Sequence, residues 1–187
     1  SLILVGERLN VRGSKKVRDA VESGGPIAHE VLEEVVSEQV RELGCPVIDV
    51  CMDSNVVDTT SALEEIIRVH TSDFPAAMSL DSFSVEALLA AVKVYPGRAM
   101  LNSISMEEYS PGVLKVDAVL AETSRHDAVY VGLCTGPKGP GATRAEKADL
   151  ASQIVAAAAR YGVGVDRLFI DVNVFPIGSE SVEGMNF

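Results

Sequence analysis

The sequence predicts an α/β fold, a TIM-type (β/α)8 barrel of which about six β/α units lie in this chain. Three observations carry that expectation. Short β-branched apolar runs alternate strictly with longer stretches of helical periodicity. The runs are continuously apolar, as in parallel strands covered on both faces. The first β-to-α turn reads Gly6-Glu7-Arg8-Leu9-Asn10, without the G-x-G-x-x-G spacing of an open, dinucleotide-binding sheet.

Taken in order, strands are expected at 2–5, 47–50, 77–80, 99–101, 128–133 and 168–172. Between them a period of about 3.6 predicts helices over 28–43, 59–70, 84–94, 111–124 and 144–161. Val31, Val35, Val36, Val40 and Leu43 form the apolar stripe of the first helix. Thr59 and Thr60 mark the start of the second, Ser84 with Glu86 the third, and Ser110 with Pro111 the fourth. Thr143 and Glu146 make a capping box for the fifth, and Gly162 after Tyr161 closes it. A turn at 175–180 then leads towards a helix capped by Ser179. Strict alternation implies right-handed crossovers between parallel strands. A complete barrel has eight such units, so residues 1–187 are expected to form one barrel domain cut short before strands 7 and 8. Six strands leave parallel edges unpaired, so a larger parent protein or a neighbouring chain, as in a homodimer, is expected to cover them.

Composition narrows the function. With 47% hydrophobic and 23% charged residues, the chain has the makeup of an ordinary globular domain with a large core. A net charge of −11 repels a polyanionic backbone, so nucleic acid is not an expected partner. No segment approaches the roughly 18 apolar residues of a membrane span, and the expectation is a protein neither exported nor membrane-embedded. Cys45, Cys51 and Cys134 are widely spaced, with no CxxC pair or clustered His, which predicts neither a zinc site nor a disulfide framework. A cytoplasmic location is the simplest expectation.

The informative feature is the polar residue at the C-terminal end of nearly every strand. Glu7 and Asn10 follow the first, Asp49 and Asp53 flank the second, and Asp81 and Ser82 follow the third. Asn102 and Ser103 follow the fourth, and Asp171 and Asn173 the sixth. In a parallel barrel these ends share one face, where barrel chemistry is built. Each residue taken singly has an alternative as a helix cap or turn former. For Asp81 and Asp171, directly at the ends of apolar strands, an unpaired charge is costly and points to a ligand. A 2-amino-4-oxo pterin offers adjacent N–H donors that a carboxylate accepts as a fork, and an amide both donates to and accepts from the ring edge. A divalent cation is the alternative occupant of carboxylates; no His joins the set, and no metal is expected.

Five pieces carry a resemblance. They are Val5-Gly6-Glu7-Arg8-Leu9-Asn10 with Gly13-Ser14-Lys15, Ile48-Asp49-Val50-Cys51-Met52-Asp53, Leu80-Asp81-Ser82, Leu101-Asn102-Ser103-Ile104-Ser105, and Phe169-Ile170-Asp171-Val172-Asn173. In that order they resemble the folate domain of cobalamin-dependent methionine synthase and the methyltetrahydrofolate:corrinoid methyltransferases, within the dihydropteroate synthase-like superfamily. Dihydropteroate synthases usually open with a strand end rich in Asn, Thr and Pro, so the Gly-Glu-Arg opening favours the methyltransferase branch. Cys51 departs from the methionine synthase pattern, which commonly has Asn there.

The resemblance implies that Asp81, Asn102 and Asp171 hydrogen-bond the pterin, with Glu7, Asn10, Asp53 and Asn173 completing the set. It implies methyltetrahydrofolate as substrate, and transfer of its N5 methyl to Co(I) of a corrinoid (cobalamin) carried by a partner protein or domain. The family's seventh-strand Asn, which hydrogen-bonds near N5, would fall beyond Phe187, so no catalytic residue is assigned. A pterin-binding module without turnover and a dihydropteroate synthase-type enzyme are the alternatives. Arg12, Lys15 and Lys16 either attract the anionic folate tail or form a solvated basic loop. The segment 136–141 is expected as a mobile loop over the pocket, and His29, His70 and His126 as surface or packing residues.

Overall fold

The computed structural model describes residues 2–72 and 76–174. The turn expected at 175–180 lies outside them. The chain divides into two compact units, Ser1–Leu101 and Asn102–Phe187.

The first unit holds β1 (Val5–Asn10), α1 (Lys15–Glu22), α2 (His29–Ser37), a π-helical turn (Glu38–Glu42), β2 (Val47–Cys51), α3 (Thr59–His70), β3 (Ala77–Asp81) and α4 (Val85–Val94). Strand β4 (Ala99–Ser105) runs across the division. The second unit holds β5 (Glu108–Ser110), β6 (Val113–Leu114), α5 (Lys115–Thr123), β7 (Ala128–Leu133), β8 (Thr135–Gly136), β9 (Gly139–Pro140), α6 (Arg144–Arg160), a 3-10 turn (Val165–Arg167) and β10 (Leu168–Asp171). One six-stranded sheet has the order β1-β2-β3-β4-β7-β10. Its strands follow chain order without a switch point, which is how a barrel winds and an open doubly wound sheet does not. The sheet is parallel and matches part of a (β/α) barrel.

In the first unit, Leu9, Val50 and Leu80 of the strands are fully buried with Leu32, Leu63, Ile66 and Leu88 of the helices. In the second, Tyr130, Leu120 and Ile154 are fully buried. Tyr130 keeps its hydroxyl satisfied by donating to the Thr123 carbonyl at 2.9 Å. The caps of α3, α4 and α6 lie where their side chains direct. Asp58 accepts from Ser61 N at 2.7 Å and Ser84 from Ala87 N at 3.2 Å. Thr143 and Glu146 close their capping box, and Gly162, at φ 74°, ends α6 in the left-handed region that glycine tolerates.

Several elements differ from the sequence expectation. The apolar run 2–5 is largely exposed, and β1 runs instead through the polar motif, with Val5 opposite Val47 and Asn10 opposite Cys51. Ladder pairing with β2 decided the strand here, not apolarity. Helix α1 has no counterpart among the expected helices, because its eight residues bury only Val17, Ala20 and Val21; Ser14 caps it.

The helix expected over 28–43 passes into the π turn, which widens the spiral by a residue and rotates the inward face. Gln39 is thereby buried and Leu43 left 62% exposed. The Gln39 amide earns its place: Nε2 donates to the Val35 carbonyl at 3.0 Å, and Oε1 accepts from Arg8 N at 2.8 Å. A Cβ on Gly6 would lie 2.6 Å from that Oε1 and 2.9 Å from Ile48 Cδ1. The glycine of the Gly-Glu-Arg piece is there for close approach.

Ser110 and Pro111 do not start a helix. They belong to the β5–β6 hairpin, where Pro111 and Gly112, the latter at φ 77°, form the tight turn; α5 begins at Lys115 without a side-chain cap. The segment 136–141 likewise contains the β8–β9 hairpin, with Gly136 opposite Gly139. No helix among the described residues is long and apolar enough to cross a membrane.

Candidate functional site

In the first unit the parallel register lays Asn10, Cys51 and Asp81 side by side at the ends of β1, β2 and β3. Asn10 uses Oδ1 to accept from Arg12 N at 2.8 Å and Gly13 N at 2.9 Å, and its carbonyl accepts from Ser14 N at 2.9 Å. This Asx turn folds the chain from β1 into α1. Glu7 lies exposed, three residues before the end of β1. Asp53 is buried, with one carboxylate oxygen accepting from Ser82 Oγ at 2.6 Å and the other from Phe83 N at 2.8 Å. Its carboxylate therefore fixes the chain just past Asp81. Asp49, buried in mid-strand, accepts from Ser79 Oγ at 2.6 Å.

Cys51 is buried, and its thiol is held far above the ordinary range, first by desolvation and then by the charge of Asp81, to which it is also hydrogen-bonded. It is thus a neutral thiol, set beside Asp81 by the β2–β3 register. Two consequences are measurable. Cys51 should resist iodoacetamide at pH 8 in the folded protein and react on unfolding. Because its folded pKa is raised, its contribution to stability is complete below the ordinary thiol value of 9.0 and is lost as pH rises above it. Denaturation midpoints measured from pH 8 to 10 should fall, and Cys51→Ser should flatten that fall.

In the second unit Asn102 is half-buried on β4, at a cis Asn102–Ser103 peptide. Asp171 ends β10, exposed, with one carboxylate oxygen accepting from Asn173 N at 2.7 Å. Asn173 takes φ 53° and donates Nδ2 to the Cys134 carbonyl at 2.8 Å and to Thr135 Oγ1 at 3.1 Å. The Thr135 carbonyl in turn accepts from Met106 N at 2.9 Å. Asn173 is therefore the tie between the end of β10 and the start of the β8–β9 hairpin.

Lys147, which sequence reasoning missed, completes this tie by donating Nζ to the Asn173 carbonyl at 3.3 Å, though it is only 2% exposed. The signal was present. Counting back seven residues along the buried stripe of α6 from Ile154 lands on Lys147. Cys134 beside it is buried, its thiol pushed up by desolvation and the Asp171 charge and drawn down by Lys147.

Among the described residues, no group of three or more His, Cys, Asp and Glu side chains is placed to hold a metal ion. His70 is buried, with Nε2 2.9 Å from His29 Nδ1, while His29 Nε2 lies 2.9 Å from Glu65. Lys15 pairs with Asp19 at 2.5 Å and Lys16 with Glu34 at 2.7 Å.

A parallel α/β enzyme fold with carboxylates and amides at its strand ends defines the class of protein. More narrowly, residues 6–186 match the pterin-binding enzyme family, and the chain belongs to it. It is 24% identical over 186 residues to methionine synthase of Mycobacterium tuberculosis (strain ATCC 25618 / H37Rv), covering 98% of this chain. It is 25% identical over 190 residues to methionine synthase of Mycobacterium leprae (strain TN), again covering 98% of this chain. It spans 15% of the length of each.

Among solved structures, dihydropteroate synthase from Xanthomonas albilineans, in complex with 7,8-dihydropteroate, matches with a TM-score of 0.64 at 21% identity. That match covers 98% of this chain and 64% of the synthase. Burkholderia cenocepacia dihydropteroate synthase, complexed with 7,8-dihydropteroate, matches at 0.58 and 15% identity, over 93% of this chain and 59% of the other. These likenesses establish the dihydropteroate synthase-like fold.

Proposed function

We propose that the chain is the pterin-binding part of a folate-processing enzyme, taking a reduced pterin on Asp81, Asn102 and Asp171. The observation that carries this reading is the family match over 6–186, which includes all three strand-end residues. Their chemistry suits the ligand. An ionised carboxylate accepts the adjacent 2-amino and N3 hydrogens, and an amide serves both donor and acceptor edges. Asn10, Asp53 and Asn173 act through the backbone they fix, and Glu7 stands on the same strand as Asn10. Residues 1–187 then form a pterin-binding (β/α) domain of a larger barrel. Equilibrium dialysis against methyltetrahydrofolate and against 7,8-dihydropteroate tests the reading: saturable binding of at least one is expected, and binding of neither overturns it.

A second reading is favoured by the methionine synthase relatives, namely transfer of the N5 methyl of methyltetrahydrofolate to Co(I) of a corrinoid carried by another protein or domain. The corrinoid is a substrate in this reading. The chain's own contribution is to bind and orient the folate, so that attack on the methyl carbon becomes effectively unimolecular. Formation of methylcob(III)alamin from cob(I)alamin supports methyl transfer. Formation of dihydropteroate instead, with no methyl transfer, assigns the protein to dihydropteroate synthase-type chemistry.

A further inference from the structure

The strand-end tie of the second unit is held by a charge closed off from solvent. Lys147 is 2% exposed and shares the buried stripe of α6 with Ile154, Ala157 and Ala158. An apolar side chain would fill such a position without desolvating a charge, whereas a buried ammonium is costly unless it is paired. The neighbouring chain is nevertheless fitted to this lysine. Gly141, which donates its N–H to the Cys134 carbonyl at 3.0 Å, lies so close that a Cβ on it would sit 3.0 Å from Lys147 N and 3.1 Å from Lys147 Cγ. The ammonium reaches Asn173 and donates to its carbonyl at 3.3 Å.

Asn173 lies in the left-handed region at φ 53°, which a residue other than glycine keeps only when its surroundings hold it there. Three contacts hold it. Its Nδ2 donates to the Cys134 carbonyl and to Thr135 Oγ1, and its carbonyl is taken by Lys147. In that conformation the Asn173 N–H turns back to Asp171 and donates to Oδ1 at 2.7 Å, while the Asp171 carbonyl accepts from Cys134 N at 2.8 Å. Asp171 is thus anchored at its backbone and at one carboxylate oxygen, yet it remains exposed. Each carboxylate oxygen offers more than one lone pair, so this bond orients the group and leaves it able to accept from a ligand. Desolvation and then the Asp171 charge push the Cys134 thiol up, and Lys147 draws it down, so the cation and the carboxylate act within reach of one sulfur.

We infer that Lys147 is a positioning residue for pterin recognition: its buried ammonium holds Asn173 in the left-handed conformation from which the Asn173 N–H fixes the Asp171 carboxylate. The inference rests on the pterin-binding reading and deepens it, because it names what aims one of the three ligand-contacting side chains. Lys147 itself is too deeply buried to touch the pterin, so its effect passes through Asn173 and Asp171.

A double-mutant cycle on the intact protein, titrated with methyltetrahydrofolate and with 7,8-dihydropteroate, tests this. Lys147→Met should weaken binding about fivefold, and in an Asp171→Ala background it should cause no further loss, because residues acting in one chain are not additive. A merely structural lysine would instead give losses that multiply. Asn173→Ala, at a half-buried position, provides the second arm should Lys147→Met not fold: it too should weaken binding in the wild-type background and not in Asp171→Ala. Wild-type affinity in a folded Lys147→Met or in Asn173→Ala, multiplying losses in either cycle, or an Asp171→Ala that binds like the wild type overturns the inference and leaves pterin binding standing. Failure of the wild-type protein to bind either ligand overturns both.

Discussion

Replacing Asp81 with alanine is expected to weaken binding of a reduced pterin by more than about tenfold without unfolding the protein. A charge-assisted hydrogen bond is worth roughly 1.5 to 3 kcal/mol, and each 1.4 kcal/mol is about a factor of ten. Loss of a two-pronged contact therefore reaches tenfold even at the low end. Asp81 is partly exposed at the end of β3, so no buried cavity results from its truncation. Asp81→Asn separates charge from shape: it keeps one acceptor, replaces the other with a donor facing the pterin's own N–H groups, and should bind nearly as poorly as alanine. Calorimetric titration of both variants provides the check, and unchanged affinity in Asp81→Ala removes this residue from the site.

Asp53→Ala is expected to cost about 3 kcal/mol of folding stability, read as a shift in urea midpoint. Its carboxylate accepts from Ser82 Oγ and Phe83 N, and it is 6% exposed while Ser82 is 1% exposed. Removing it leaves two donors in places water scarcely reaches, and an unsatisfied buried donor costs about 1 to 3 kcal/mol. Asp53→Asn, which keeps one acceptor, should lose about half as much. A variant as stable as wild type would show that the strand-end connection does not depend on this carboxylate.

The contrast between Asp81 and Asp53 shows what was legible in the sequence. Both are aspartates at the ends of apolar runs, and periodicity places them correctly at the ends of β2 and β3. That Asp53 is committed to Ser82 and Phe83 follows from the loop after β3, which turns back to it; no spacing rule encodes that turn. The same holds for Asn10 and Asn173, whose side chains fix turns and strand ends. The parallel α/β class, the strand order and the caps of α4 and α6 were readable because local propensity and tertiary packing agree there. They disagree at β1, where ladder pairing takes a polar stretch and leaves 2–5 outside, and at Gln39, where a π turn moves an amide into the interior. The Pro111–Gly112 hairpin was signalled by its dipeptide, but a helical pattern just beyond it drew the start of α5 forward.

The central claim is that a pterin ring sits on Asp81, Asn102 and Asp171, and a crystal structure of the protein with methyltetrahydrofolate measures it most directly. The account predicts the 2-amino and N3 nitrogens of the ring within about 3 Å of carboxylate oxygens from this set, with Asn102 on the ring edge. A pterin bound with none of these three residues in hydrogen-bond contact would contradict it.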